Sequence, residues 1–264
     1  MIQTHANILS ALEVMTETYL LRLEAPDIAA AARPGQFVMV RCGGDTVLPR
    51  PFSVHRTDGK SLSLLFAAVG TGTRWLAQRK RGEKLDIFGP LGNGFTVDKG
   101  VNNLLLVAGG MGIAPLVFLA ETAARDGGKV TIIEGARNRD CLLPVSITQG
   151  SFEKGIEPGA LHVVTVTEDG TEGQQGLATD FVSIYADEAD AVYACGPLPM
   201  YRSLAAACAP HNKPVQASLE IVMGCGTGVC YGCTIKTKSG LKQVCKDGPV
   251  FNMDEVIWEA MKGV

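Results

Sequence analysis

The sequence has no large excess of charge of either sign. Its 264 residues contain 24 Lys and Arg against 27 Asp and Glu, which gives a net charge of −3. A broad basic face for phosphate backbones is not expected, so we predict no nucleic-acid partner. Charged residues make up only 19 % and hydrophobic residues 46 %, so burial can offset chain entropy, and disorder as the main state is excluded.

The sequence also has no secretory start and no unbroken hydrophobic run of membrane length. Residues 1–5 do not form a basic region followed by an apolar run, so we predict a cytoplasmic protein. Residues 101–120 contain no charge, and about 20 apolar residues can span a bilayer. Three glycines and Pro115 interrupt this stretch, so we predict a strand, a tight turn and a helix there, and no membrane contact.

The hydrophobic pattern changes twice along the chain. Short alternating runs such as 36–40 and 61–66 predict an antiparallel β-barrel over residues 1–100, with one short helix over 73–79. From residue 101, apolar strands alternate with helices, which predicts a parallel α/β sheet over 101–212. The predicted strands are 104–108, 129–134, 161–166 and 191–195, and the predicted helices are 114–125, 176–186 and 199–208.

The last part, residues 213–264, is rich in Gly, Cys and Lys and is predicted to be a small third domain. Asn252 and Glu255 have the spacing of a capping box. This spacing predicts a closing helix from Asp254 to Lys262.

Four of the eight cysteines crowd into this last part. Cys225, Cys230 and Cys233 have C-x4-C-x2-C spacing, and Cys245 follows after eleven residues, which is the spacing of plant-type [2Fe-2S] centres. The intervening glycines would let backbone N–H groups approach the sulfides. A structural zinc site also uses four thiolates, and unliganded cysteines behave as small buried hydrophobes, so both alternatives stay open here.

A glycine-rich turn follows the first apolar strand of the α/β part. Gly109, Gly110 and Gly112 open a helix, which would aim backbone N–H groups at a pyrophosphate. Pro115 stands where the dinucleotide fingerprint has its third glycine, so a tight turn that binds nothing is the alternative. Glu134 ends the next strand and is predicted to accept a ribose 2′-hydroxyl, which would favour NAD over NADP, although it could be an ordinary strand-end charge.

Three further sites have the chemistry to hold a nucleotide. Cys195 and Gly196 end a strand at the carboxyl edge, where open α/β sheets bind ligands. Arg50 offers a planar guanidinium for a phosphate, with the Ser53 hydroxyl three residues later. Gly72, together with Thr73 ahead of the short helix, forms a second possible anion site.

The order of these motifs resembles the ferredoxin–NADP reductase superfamily. With the cysteine cluster, the whole chain resembles the electron-transfer subunits of class 1B dihydroorotate dehydrogenases, the NAD-dependent enzymes of pyrimidine biosynthesis, and 243–251 is its most specific stretch. Related reductase subunits of NADH:NADP oxidoreductases tend to have Asp at the first ligand position, so Cys225 favours the dihydroorotate family. The motifs are 50–53, Gly70-x-Gly72-Thr73, 89–95, 109–115 and 195–197.

The resemblance implies a barrel that binds FAD, an α/β domain that binds NAD and a [2Fe-2S] cluster on the four cysteines. Ser53 would lie near flavin N5 and Cys195 beside the nicotinamide, as the catalytic residues. The predicted FAD-binding residues are Arg50, Pro51, Phe52, Ser53, Ala67, Ala68, Val69, Gly72 and Thr73, and the predicted NAD-binding residues are Gly109, Gly110, Gly112, Glu134, Cys195 and Gly196.

The resemblance also implies a partner. An FMN-containing catalytic subunit would oxidise dihydroorotate, in a heterotetramer of two subunits of each kind, and this chain would pass the electrons to NAD+. Because the cluster exchanges one electron and NAD accepts two, FAD is expected between them. The same cofactors could instead serve a hydrogenase, sulfite reductase or oxygenase partner, and a zinc-stabilised interaction module is the non-redox alternative.

Overall fold

The computed structural model describes residues 1–44, 47–149 and 156–261. The first part is a closed six-stranded antiparallel barrel with strand order β1-β2-β5-β4-β3-β6, as predicted. In β6, exposed or half-buried residues alternate with buried ones, because successive side chains point to opposite faces of a strand. The barrel strands are β1 (Ile2–Met15), β2 (Thr18–Glu24), β3 (Phe37–Val40), β4 (Arg50–Thr57), β5 (Ser61–Ala67) and β6 (Lys84–Leu91).

Two short helices connect barrel strands, α1 (Pro26–Ala31) and α2 (Thr71–Ala77). The prediction started α2 two residues late, at Thr73. The reason is that Gly70 is the N-cap, and its N–H donates to the Thr73 hydroxyl at 2.9 Å, so Thr73 already belongs to the first turn.

The second part is a parallel sheet with order β10-β9-β8-β7-β11-β12, which confirms the predicted architecture. The four predicted strands are present, each within two residues of its expected ends. The sheet strands are β7 (Asn103–Gly109), β8 (Lys129–Ala136), β9 (Leu161–Thr167), β10 (Gln174–Gln175), β11 (Ala191–Cys195) and β12 (Val215–Ser218), and the helices are α3 (Ile113–Arg125), α4 (Val145–Gln149), α5 (Val182–Ala186) and α6 (Leu198–Cys208).

The helix predicted over 176–186 forms only in part. Its first half is a 3-10 turn at Ala178–Phe181, and α5 follows. Pro115 lies in the first turn of α3, where the N–H groups have no intrahelical partner, so the proline removes no helical hydrogen bond there.

The cysteine-rich part is inserted between two neighbouring strands of the sheet. It contains the hairpin β13 (Thr234–Thr237) and β14 (Gly240–Gln243) and the short helix α7 (Val244–Asp247). The chain then returns as β15 (Val250–Asn252), antiparallel to β12. The sheet therefore continues across the predicted boundary at residue 213, and the division into three domains stays a prediction.

The predicted C-terminal helix is wrong. Asn252 pairs with Gln216 as the last residue of β15, and its side chain caps nothing. Residues 253–261 contain 3-10 turns, and Trp258 stacks on Tyr201 with ring centroids 5.1 Å apart. Tertiary pairing thus outweighs the local capping pattern, and Lys262 lies outside the described residues. Over the described ranges, every helix is too short or too polar to cross a membrane.

Candidate functional site

Three of the four clustered cysteines lie in the loop 225–233, here named the cysteine loop, and the fourth, Cys245, lies in α7. Backbone hydrogen bonds connect the cysteines in two pairs: the Cys230 N–H donates to Cys225 Sγ, and the Cys245 N–H donates to Cys233 Sγ, both at 3.4 Å. Two thiolates on each iron is the arrangement that a two-iron, four-cysteine cluster requires. Over the described ranges, no three His, Cys, Asp or Glu side chains converge on a position for a single metal ion.

Backbone N–H groups point at the sulfurs of this site. Thr227 N–H donates to Cys225 Sγ at 3.4 Å and Gly228 N–H donates to Cys245 Sγ at 3.1 Å. Partial burial opposes ionisation of Cys225, but the N–H groups of Thr227 and Cys230 lower its pKa to about 6. Donors that stabilise thiolate charge are those that an iron–sulfur cluster needs, so these residues fit such a group.

The cysteine loop packs directly against the barrel. Gly226 has φ +72°, and a Cβ there would lie 2.6 Å from Met39 Cγ. Met39 is fully buried in β3, where it pairs with Pro51 of the neighbouring strand β4. The glycine therefore lets the loop reach within one strand of the predicted flavin residues.

Asn93 holds the segment that follows the fourth cysteine. Its side-chain Nδ2 donates to the carbonyls of Lys246 and Asp247, at 3.3 and 3.0 Å, and its backbone N–H donates to Gly248 O. The last carbonyls of a helix have no partner within the helix, so a side chain from the barrel caps α7. Cys245 is thereby attached to the barrel.

The glycine turn meets the strand end that bears Cys195. A Cβ on Gly112 would lie 1.9 Å from Cys195 O, and a Cβ on Gly109 would lie 2.8 Å from both Met200 Sδ and Pro197 Cδ. The structure therefore brings together the two predicted halves of the NAD site at the carboxyl edge of the sheet. Glycine at both positions lets the turn and the strand end pack this closely, while a Cβ on Gly110 between them would meet nothing within 4 Å, so the recess at this edge fits a dinucleotide.

Cys195 lies in a buried polar network next to this recess. Its thiol donates to Glu220 Oε1 at 3.7 Å, while the Tyr201 hydroxyl donates to Ser218 O and accepts from the Gly196 N–H. Burial first, and then the Glu220 carboxylate, raise the pKa of Cys195 well above its ordinary value. The thiol is therefore protonated at neutral pH.

Glu134 is turned inward at the end of β8. It is 2 % exposed, its Oε1 accepts from the Leu143 N–H at 2.7 Å, and its Oε2 has no hydrogen-bond partner among the residues that the structure describes. Burial raises the pKa of Glu134 to about 7, although the Leu143 N–H opposes this shift. Its contact with a ribose stays a prediction.

On the barrel, Arg50 lies against the start of α2. A Cβ on Gly72 would lie 3.4 Å from Arg50 Nε and 3.2 Å from Cys42 Cβ. Arg50 Nη1 donates to Leu48 O at 2.9 Å, while the Thr73 hydroxyl donates to Gly70 O. A guanidinium beside a glycine recess fits the phosphates of a dinucleotide such as FAD.

The other predicted flavin residues are divided between the surface and the barrel core. Ser53 is half-buried on β4, whereas the Phe52 side chain packs in the core with its ring 5.4 Å from Phe66. Ala67 is the last residue of β5, and in the connection to α2 that follows, Ala68 is buried and Val69 is 78 % exposed. The roles of these residues stay predictions.

Sequence reasoning gave no role to three residues of the site, Met39, Asn93 and Glu220. Asn93 lies in the 89–95 motif and Glu220 lies five residues before Cys225, but neither position revealed its partner. Met39 showed only the alternation of a barrel strand. Their contacts are long-range, so no local pattern could have found them.

Two family models match the chain. One, described as the iron-sulfur cluster binding domain of dihydroorotate dehydrogenase B, matches residues 220–257. The other, an oxidoreductase NAD-binding domain, matches residues 106–206. A barrel, an NAD-binding sheet and a four-cysteine cluster domain define an NAD-dependent iron–sulfur oxidoreductase with the ferredoxin reductase fold.

Curated relatives give the family more closely. Two are named dihydroorotate dehydrogenase B (NAD(+)), electron transfer subunit: those of Desulforamulus reducens and Caldanaerobacter subterraneus subsp. tengcongensis. Each is 38 % identical, over 96 % of this chain and 98 % of the relative. The chain belongs to this family of electron transfer subunits, as its motifs predicted.

Solved structures agree with this assignment. The structure of an NADH-dependent reduced ferredoxin-NADP oxidoreductase, described in work on flavin-based electron bifurcation, is 28 % identical, covers 97 % of this chain and 91 % of its own, and has a TM-score of 0.84. A ferredoxin NADP+ reductase from Neisseria gonorrhoeae with bound FAD and NADP shares the fold, at 16 % identity over 80 % of this chain and 92 % of its own, with a TM-score of 0.65. The domain matches confirm an iron–sulfur cluster and NAD among the predicted cofactors, and the fold is the one in which the Neisseria reductase binds FAD.

Proposed function

We propose that this chain receives electrons from the FMN-containing catalytic subunit of a dihydroorotate dehydrogenase and delivers them to NAD+, in the synthesis of UMP. The assembly would be a heterotetramer with two subunits of each kind. When bound, the flavin supplies the exchange between one-electron and two-electron chemistry. This chain would bind the [2Fe-2S] cluster, FAD and NAD+ in that order and keep them close together.

The observation that supports this order is the contact between the cysteine loop and the barrel. Gly226 packs on Met39, and Met39 lies one strand from the segment Arg50–Ser53. The cluster and the flavin would then be separated by a single strand of buried protein. A short, packed separation of this kind suits electron transfer, and it does not require any movement of the chain.

For four of the predicted site residues we propose a role that fits the position of each. Arg50 would neutralise phosphate charge beside Gly72, and Gly112 would let the glycine turn pack against the strand end at the sheet edge. The Ser53 hydroxyl would donate to the flavin ring. Cys195, protonated and held by Glu220, would border the nicotinamide without competing as a charged nucleophile.

The partner would approach the exposed side of the cluster. Cys230 is exposed, whereas Cys233 and Cys245 are buried. Nearby, Val229 and Tyr231 are 76 % and 70 % exposed. Apolar residues around a half-exposed cofactor are typical of a protein-binding surface.

We also propose a cytoplasmic location. All eight cysteines lie in the described part of the chain, and none is in a disulfide there. Thiols persist in the reducing cytoplasm, and a cluster that needs four thiolates is compatible with that compartment.

The test is to purify the chain without oxygen together with its catalytic partner and to add dihydroorotate and NAD+. NADH should form, and the Cys233→Ala variant should lose this activity while the partner still oxidises dihydroorotate with an artificial acceptor. A preparation that contains FAD and iron but forms no NADH from dihydroorotate would show that another partner donates the electrons.

A further inference from the structure

Two adjacent residues of β4 contact α3 at two separate points. His55 Nδ1 lies 2.9 Å from Ala114 O, in the first turn of the helix, and Arg56 Nε lies 2.6 Å from Glu121 Oε1. Ala114 and Glu121 are seven residues apart, so they share one face of the helix and lie about 10 Å apart along its axis. Two contacts at separate points constrain both the position and the direction of the packed helix relative to β4.

Both contacts are shielded from water. His55 has no exposed surface and Glu121 is 1 % exposed, while the Arg56 side chain is 12 % exposed. Burial, aided by the charge of Arg56, lowers the pKa of His55 to about 3, so the ring is neutral and its Nδ1–H donates to Ala114 O. Buried charges are screened only weakly by salt, so the attraction between Arg56 and Glu121 persists under physiological conditions.

Further bonds prevent this pair from shifting. Arg56 Nη2 donates to Thr148 O at 3.0 Å, and Arg125 Nη2 lies 3.9 Å from Glu121 Oε2. The Arg56 guanidinium thus connects the barrel to both α3 and α4. Removing one member would leave an uncompensated charge in a buried site, so the pair cannot be broken without consequence.

The two elements also bear the two nucleotide sites. Ser53 precedes His55 by two residues on β4, and Gly112 precedes Ala114 by two residues at the start of α3. We infer that the contacts His55–Ala114 and Arg56–Glu121, here named the clasp, are positioning contacts that set the angle between the flavin strand and the NAD helix. This inference rests on the proposed function, because it assumes that flavin and nicotinamide meet between these elements.

The expected consequence is kinetic. Transfer between two bound groups depends steeply on their geometry, and a displacement of about 1 Å can cost about a hundredfold in rate. Loss of the clasp should therefore slow flavin reduction by NADH by about tenfold to about a hundredfold. The Kd for NADH should change much less, because the recess at Gly112 and Cys195 remains.

The test uses the full chain with its cofactors. Glu121→Gln removes the charge, and the double variant Arg56→Met/Glu121→Met replaces the pair with apolar groups of similar size. Arg22→Met is the matched control, because it breaks an exposed ion pair of the barrel with Asp58. Flavin reduction is followed by stopped-flow absorbance, and the NADH Kd, the Tm, FAD and iron content, and hydrogen exchange over 113–125 are measured beside it.

We expect Glu121→Gln to reduce flavin slowly and to exchange amide hydrogens faster over α3. The double variant should regain the native Tm, because no buried charge is left unpaired and Arg125 is 44 % exposed, and still reduce flavin slowly, because apolar contacts have no preferred direction. A stable double variant that reduces flavin at the native rate would overturn the inference. If the unmodified chain binds no flavin, the proposed function fails. In that case the inference about the clasp is tested by hydrogen exchange alone, and native exchange over α3 in the variants would overturn it.

Discussion

Replacing Gly112 with Ala is the sharpest single test of the site at the sheet edge. The added Cβ would lie 1.9 Å from Cys195 O and 2.8 Å from Gly196 N, where ordinary contact begins near 3.4 Å. Both neighbours are backbone atoms, so no side chain can rotate away. The glycine turn and the Cys195 strand end would have to separate by more than about 1 Å.

The size of the effect follows from this geometry. Gly112 has φ −59° and ψ −15°, which alanine adopts freely, so the substitution by itself would stabilise the fold by about 0.4–1 kcal/mol. Overpacking in a tight contact costs about 1–3 kcal/mol. We expect a net loss of about 1–2 kcal/mol, which lowers the Tm by about 2–8 °C, and an NADH affinity at least about tenfold weaker, because the two halves of the recess separate.

The assay compares Gly112→Ala with the control Gly44→Ala, at a glycine where an added Cβ would meet no described atom within 4 Å. Thermal unfolding gives the change in Tm, and titration with NADH gives the Kd. The control should match the unmodified protein in both. Native Tm and native Kd in Gly112→Ala would refute the reasoning, because they would mean that the turn does not lie against Cys195.

Two further predictions concern the cluster and the buried acid. Cys233→Ala should abolish iron binding and the visible iron–sulfur absorbance while FAD is retained. The control Cys208→Ala, at a buried cysteine outside the cluster, should keep its iron. Full iron content in Cys233→Ala would contradict the ligand assignment. Burial raises the pKa of Glu134 from 4.5 to about 7, so the folded state holds a proton that the unfolded chain releases, and the stability from this group should fall as pH rises from about 4.5 to about 7. Urea unfolding at pH 5 and pH 7.5 gives the change in the free energy of unfolding between these pH values, and Glu134→Gln should reduce this change by at most about 3 kcal/mol. The same change with pH in the variant as in the unmodified protein would contradict the assignment.

Local patterns were sufficient where the structure depends on local features. The apolar runs of β7, β8, β9 and β11 predicted their strands within two residues, because strands of a parallel sheet are rich in Val, Ile and Leu. The capping pattern at Asn252 failed for the opposite reason. Its residues are held by pairing with Gln216 and by the stacking of Trp258, both of which depend on partners distant in sequence.

The candidate site shows the same division. The spacing of Cys225, Cys230, Cys233 and Cys245 predicted the cluster ligands, but it did not reveal that Asn93 holds the segment after the last of them. The sequence placed Glu134 at a strand end but did not show that its Oε1 accepts from the Leu143 N–H, and its contact with a ribose stays a prediction. A side chain's direction at a strand end depends on the neighbouring elements, which the alternation of apolar residues does not specify.

The sequence by itself determined which chemistry is predicted for this protein: four thiolates for iron, a glycine turn for a dinucleotide and an arginine beside a second anion site. These properties depend on residue type and short spacing, which one stretch of chain contains completely. Only the tertiary structure decided how the sites are related, through the packing of Gly226 on Met39, the capping of α7 by Asn93 and the attachment of α3 to β4. Such contacts join residues far apart in the chain. They form because burial brings apolar surfaces and charges of different elements together, and a local sequence pattern does not specify which elements meet.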